Sequence, residues 1–286
     1  MNKMMNKRTL KECILDRQNI YNAIYSMESY VFDKGLLDAE SNVTLRGEDK
    51  DIIIPSDLVL FHLLHDKYNF ELIERVIEAC RCRLQNVLEK SDALFDVKVF
   101  FKLKKLEDDG ALKFRPLHTA RLIDLICMVS MLNLLMFEDD TRLWKRNLSD
   151  LSKLIPHNFF GNIPSTDPQH LFHKWQTKYK EYSDNVIEHC RQYQKNHKFQ
   201  MEVSLDIKNF FPSISPKFLY SFIVDKLSAT YRDPEDVNTL KSAVAKLLYF
   251  KLDKSNMEPW VKEYYGDEIV IEGDMYMNCG IPQGLP

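Results

Sequence analysis

The sequence predicts an α+β fold on three observations. Apolar residues recur at helical spacing through most of the first ninety positions, a β-branched and aromatic hairpin texture runs from Asp96 to Arg121, and a cleanly alternating segment at 201–208 is followed by two capped helices. The chain has 286 residues, 45% of them hydrophobic and 28% charged, which is enough apolar material for a sizeable core and excludes a small disulfide scaffold. Eight Gly and eleven Pro are too few for collagen or low-complexity disorder.

Each element has a local signature. Ile14, Ile20, Ile24, Met27 and Val31 recur at roughly helical spacing; Ser56 stands where an N-cap would precede Leu58, Phe61 and Leu64. The pattern continues from Phe70 to Leu88 through Leu72, Val76 and Cys80. From Asp96 the texture changes: VKVFFKLKK is strand-like, EDDG is turn-like and ALKFRPL resumes an extended pattern. An apolar helix is expected from about Leu122 to Phe137, then an ordered Pro/Asn/Gly loop, IPHNFFGNIPSTDP, and a polar helix from about Gln169 to Gln194. In MEVSLDIK, Met201, Val203, Leu205 and Ile207 alternate with Glu202, Ser204, Asp206 and Lys208, the pattern of a half-buried strand. Ser215-Pro216 and Asp233-Pro234 are cap and first-turn pairs opening helices, and Glu268 to Ile271 reads as a strand.

Several function classes drop out. The apolar stretch Met128 to Phe137 carries Ser130 and Asn133 and is shorter than the roughly 18 residues a membrane span needs. The basic start MNKMMNKR lacks an uninterrupted apolar region after it, so no membrane association and a cytoplasmic protein are expected. A net charge of −3 excludes a uniformly basic nucleic-acid coat, and any phosphate-binding surface must be local. The six cysteines form no CxxC and are expected to be reduced structural thiols. The HxxH pairs His62/His65 and His170/His173 suit one helix face, but neither has a third ligand nearby for zinc.

The residues that carry chemistry cluster in two places. Between Asp96 and Arg121 seven Lys and Arg face four acids, three of them in the turn, a local excess where a polyphosphate would need it. Asp206 lies on the polar face of its strand, just before the aromatic pair Phe210 and Phe211, and a carboxylate there can meet a hard divalent cation.

The segments LDIKNFFPSI and GIPQGLP resemble motifs A and B of reverse transcriptases, in the right order. The resemblance implies that Asp206 binds catalytic Mg²⁺, with Mn²⁺ as a substitute, helped by the backbone carbonyl of Ile207. It implies that Phe211 blocks a ribose 2′-OH, and that Gln283 and Gly284 form a turn contacting the incoming nucleotide. FFKLKKLEDDGALKFRPL is similar to the family's fingers hairpin, which implies a triphosphate grip by Lys104 and Arg115, with Lys102, Lys113 and Arg121 as secondary candidates. RPLHTARLIDLICMVSMLNLLMF and IPHNFFGNIPS look most like bacterial phage-defence enzymes of the unknown-group or abortive-infection types.

The implied organisation is a helical N-terminal region at 1–95, a fingers-like region at 96–200, and the start of a right-hand polymerase palm at 201–286. The implied function is RNA-directed DNA synthesis in antiviral defence, with an RNA template, a DNA primer and product, deoxynucleoside triphosphates and a companion non-coding RNA as partners. Motif C, an aromatic-x-Asp-Asp turn after motif B, is absent; LEDD at Leu106 to Asp109 and FEDD at Phe137 to Asp140 both precede motif A. The expectation is a piece of a longer enzyme, inactive by itself. Two other classes stay open: a template-independent polymerase of the same defence group, and a non-catalytic RNA-binding or scaffold protein.

Overall fold

A computed structural model describes residues 8–27, 41–47, 50–66, 68–106, 110, 112–138, 147–196, 203, 205, 210–229, 231, 233–252, 270–272, 275–277, 281 and 285. Among these the fold is α+β, helices packed around one buried core beside two small sheets.

The first helices are set by their caps. In α1 (Leu10–Ile14) the Thr9 hydroxyl accepts from the Glu12 N–H while the Glu12 carboxylate accepts from the Thr9 N–H at 2.8 Å, a reciprocal capping box. Asp16 caps α2 (Arg17–Ser26) by accepting from the Gln18 and Asn19 N–H groups. Residues 42–55 form a hairpin instead of continuing helically. Strand β1 (Asn42–Leu45) pairs antiparallel with β2 (Ile52–Pro55), and Val43 and Leu45 are buried while Asn42 and Thr44 are exposed. That period-two burial overrides the helical reading of the region. Helix α3 (Ser56–His65) starts at Ser56 itself with no side-chain cap. The Ser56 hydroxyl bonds that of Ser41 at 2.7 Å, so it ties the helix to the strand side instead of capping.

Helix α4 (Phe70–Glu89) is capped by Asn69 and buries Ile73, Val76, Ile77, Cys80, Leu84 and Val87, one stripe at i, i+3, i+4 spacing. Helix α5 (Leu122–Met136), which contains most of the sequence's longest apolar stretch, is buried nearly all round. Two of its polar groups meet Asn19: the Asn19 amide donates to the Ser130 carbonyl at 2.9 Å, and the Asn133 amide donates to the Asn19 side-chain oxygen at 3.2 Å. Its last carbonyls accept from the hydroxyls of Ser149 and Ser152, the N-cap and a member of α6 (Asp150–Lys153). No helix of the described residues is long and apolar enough to cross a membrane.

Strands β3 (Asp96–Leu106) and β4 (Leu112–Ala120) form the hairpin the sequence predicts. Its base is fixed to the core by Arg83 of α4, whose guanidinium meets Asp124 at 2.7 and 3.1 Å and the Leu94 carbonyl at 2.7 Å. Asp124 also accepts from the Asp96 N–H. Burial opposes the Arg83 charge, but the hydrogen bond and charge of Asp124 outweigh it and hold the guanidinium above its ordinary pKa.

The loop after α6 is ordered as expected: the Leu171 N–H donates to the Ser26 carbonyl and the Leu171 side chain is fully buried. Because this loop extends through His173, bonded to the Ile163 carbonyl, the polar helix α7 (Trp175–Lys195) starts six residues later than the sequence suggests. His170 and His173 therefore lie in a loop and share no helix face.

The expected strand at 201–208 is not found at its described positions. Val203 and Leu205 are 69% and 89% exposed and lie outside any strand. Alternation gives a strand two faces, but burial requires a sheet to join, and neither Val203 nor Leu205 belongs to a described strand. A short helix α8 (Phe210–Ser213) follows. Helices α9 (Pro216–Ser228) and α10 (Pro234–Leu248) then open on the caps Ser215 and Asp233 with Pro in the first turn. Helix α10 returns to the N-terminal core: Asp236 accepts from the Leu10 N–H at 2.6 Å, and the Lys246 ammonium donates to the carbonyls of Lys90, Ser91 and Ala93 beyond the end of α4. Strands β5 (Lys251–Leu252), β6 (Val270–Glu272) and β7 (Met275–Met277) complete a sheet of order β4-β3-β5-β7-β6, antiparallel except for β3 beside β5.

Candidate nucleotide-binding site

The register of the β3–β4 hairpin sorts its residues onto two faces. Directly opposed residues share a face in an antiparallel ladder, and alternation carries that face along each strand. Val97 lies opposite Ala120 and Val99 opposite His118; Val97, Ala120 and His118 are buried. The other face has Lys98 opposite Thr119, itself buried, then Phe100 opposite Leu117, and then Lys102 opposite Arg115. Simple alternation would then take Lys104 onto this face and Lys105 onto the apolar one.

The ladder breaks that expectation. The register shifts between Leu103 and Lys105, so Lys104 is the extra residue of a bulge and Lys105 pairs with Lys113. Since 113 and 115 have the same parity, the shift brings position 105 to the face of Lys102 and Arg115. Lys98, Lys102, Lys105, Lys113 and Arg115 therefore occupy register positions of one face, and Lys102 and Lys104 are exposed. Lys105 belongs to the basic set although sequence reasoning did not choose it. A bulge is a two-strand property, and only the pairing could have shown it. Arg121 lies just past β4 at the N-cap position of α5, exposed, its carbonyl accepting from the Leu125 N–H.

The second candidate set lies near residue 211. Phe211, half-buried in α8, packs its ring edge-to-face against Phe210 at 5.3 Å. Its carbonyl accepts from the Ile214 N–H at 3.3 Å and from the Ile281 N–H at 3.1 Å. The second bond joins the two segments that carry the sequence motifs across 70 positions of chain, and Ile281 and Leu285 both pack against the core. Asp206, Ile207, Gln283 and Gly284 lie outside the described residues.

Among the described residues no three His, Cys, Asp or Glu side chains come together as a metal-binding group. His62 and His65 end α3, with His65 against the Phe61 ring at 4.5 Å. Among the described residues, Cys13, Cys80, Cys82, Cys127 and Cys190 are in no disulfide. The buried Cys127 thiol donates to the Cys80 carbonyl, and burial pushes its pKa well up, which makes it inert packing.

A cavity of about 810 Å³ lies between the β1–β2 connection and α4, lined by Arg46, Asp51, Glu71, Glu74, Arg75 and Glu78 among others. None of the residues picked out from the sequence lines it. Its α4 carboxylates are committed: Glu74 pairs with Arg17, Glu71 with Arg75 and Glu78 with Arg81. Comparison with known proteins finds no matching family model and no matching curated protein.

Proposed function

We propose that these residues form the nucleotide-binding part of an RNA-directed DNA polymerase of a bacterial antiviral defence system, with fingers and the start of a palm. The observation that carries the reading is the Ile281 N–H to Phe211 carbonyl bond, which joins one residue of GIPQGLP to one residue of LDIKNFFPSI, a proximity such a site would need. The one-faced basic hairpin supports it. A cradle for a triphosphate needs several cations whose geometry is fixed, and a ladder fixes them better than a loop. Arg115 and Lys102 would grip phosphate oxygens, and the Phe211 ring would lie against a deoxyribose. Asp206 and the Ile207 carbonyl are the groups that would hold Mg²⁺, which supplies charge stabilisation at the phosphates when bound.

The test is calorimetric binding of a deoxynucleoside triphosphate with Mg²⁺ to the chain. Arg115→Ala should weaken it about ten- to a hundredfold, the loss of one or two charge-assisted hydrogen bonds of roughly 1.5 to 3 kcal/mol, without lowering the melting temperature. Phe211→Val should narrow the preference for deoxy over ribo sugars. Triphosphate binding that ignores both substitutions, or no binding at millimolar ligand, would sink the reading.

A further inference from the structure

Helix α7 is 21 residues long and buries none of them. Most helices of this length in folded proteins are held by an apolar face packed on something else, because isolated helices are marginal in water. Its exposed aromatic and apolar residues, Ile187 apart, are not scattered. Trp175, Tyr179, Tyr182, Val186, His189 and Tyr193 follow one another at intervals of 4, 3, 4, 3 and 4, the a/d spacing of three heptads along about 31 Å of helix. Tyr179 is 63% exposed and Val186 39%. The rings already touch along the stripe: Tyr179 with Tyr182 at 6.3 Å, and His189 stacked on Tyr193 at 6.5 Å. A seam of period 3.5 is the imprint of another helix, since only a helix presents holes at the same spacing as these knobs.

We propose that α7 pairs antiparallel with α7 of a second copy of this chain. The stripe reads the same from both ends about Asp184, so a two-fold axis sets Trp175 against Tyr193, Tyr179 against His189, and Tyr182 against Val186 of the second copy. The flanking positions agree with this choice of occupant. Lys178 meets Gln192, Asn185 meets Asn185, Gln176 meets Cys190 and Ser183 meets Ser183, so no like charges oppose each other along either edge. Of the charges of the helix, Lys178 alone lies on a flank, opposite the neutral Gln192, and Lys180, Glu181, Asp184, Glu188, Arg191 and Lys195 fall outside the seam and its flanks. A nucleic-acid strand would favour the opposite arrangement, with cations interleaved among the rings.

The test uses the full chain in sedimentation velocity from about 1 to 100 µM, with Val186→Glu as the variant. Val186 is exposed, so the variant should melt like the parent. The parent should shift from monomer to dimer over the range, and the variant should stay monomeric. Orientation is read by Gln176→Cys under mild oxidation, which should link position 176 to Cys190 of the other copy and lose the link when Cys190→Ser is added. A parent monomeric throughout, a dimer indifferent to Val186→Glu, or a dimer without the 176–190 link would overturn the antiparallel seam. So would a monomer that binds single-stranded RNA and loses it in Val186→Glu, which would make the face a nucleic-acid track.

Discussion

Helices α4 and α7 have almost the same length, 20 and 21 residues, and each carries an apolar stripe along one side. One lies in the core with six side chains buried; the other buries none. Local sequence does not explain the difference, for both are amphipathic. What separates them is the company their flanks provide. Beside α4 lie Asp124 to pair Arg83, Lys246 and Ser242 to donate to the carbonyls near its end, and Arg17 to meet Glu74. The polar contacts of α7 are made mostly within itself, as Lys178 with Glu181, Asn185 with the Glu181 carbonyl and Gln192 with Glu188. Amphipathicity therefore says that a face is built to be covered, and long-range polar contacts say whether this chain covers it.

The largest effect is expected where the core pair fixes α4 to the hairpin. Asp124 is buried and accepts from Arg83 and from the Asp96 N–H. Asp124→Asn leaves the Arg83 charge without its counter-charge in a site already partly removed from water, at a cost of about 3 to 5 kcal/mol. The denaturation midpoint should fall sharply, and triphosphate binding should fall with it because the hairpin base loosens. A loss under about 1 kcal/mol would mean that water reaches Arg83 and that the two regions differ less than their contacts suggest.

A pair of truncations sharpens the comparison. Leu84 of α4 has no exposed surface, and Leu84→Ala should cost about 2 to 5 kcal/mol through lost burial and the cavity left behind. Val186→Ala in α7, measured at a dilution where the chain is monomeric, should stay within about 0.5 kcal/mol. Equal costs from the two substitutions would show that the α7 stripe is covered within a single chain.

The same contrast marks what could be read in the sequence. Caps were legible because they are local: Ser215-Pro216 and Asp233-Pro234 open helices where expected. The hairpin at 96–120 was legible from texture and turn. Its bulge at Lys104 was not, because register belongs to two strands at once, and so Lys105 was missed. The β1–β2 hairpin escaped notice because each of its strands is four residues long, too short to stand out against the surrounding helical spacing. The alternation at 201–208 was real but says nothing of a partner strand, and Val203 and Leu205 are exposed. Of the candidate site, the motif segments were legible as sequence, while their joining through Phe211 and Ile281 was not, since nothing local signals a contact 70 positions away.

The smallest expected effect tests the solvent edge of the same core. The Arg17 guanidinium clasps Glu74 with both Nε, at 2.9 Å, and Nη2, joining α2 to α4. The hydrogen bond to Arg17 is the largest influence on Glu74 and outweighs burial, so its carboxyl lies below the ordinary value; Arg17 is correspondingly raised, above all by that same bond. For a carboxylate depressed in the folded state, the added stability is present above its unfolded pKa and disappears as pH falls through the folded one. Both side chains are about half exposed, 49% and 48%, so solvent screening keeps the pair to about 0.2 to 1 kcal/mol. Urea unfolding of the parent and of Arg17→Met should differ by that amount at pH 7, and the gap should close in acid once Glu74 is protonated. A gap that persists in acid would mean that burial of the Arg17 stem supplies the stability and that the charge contributes little.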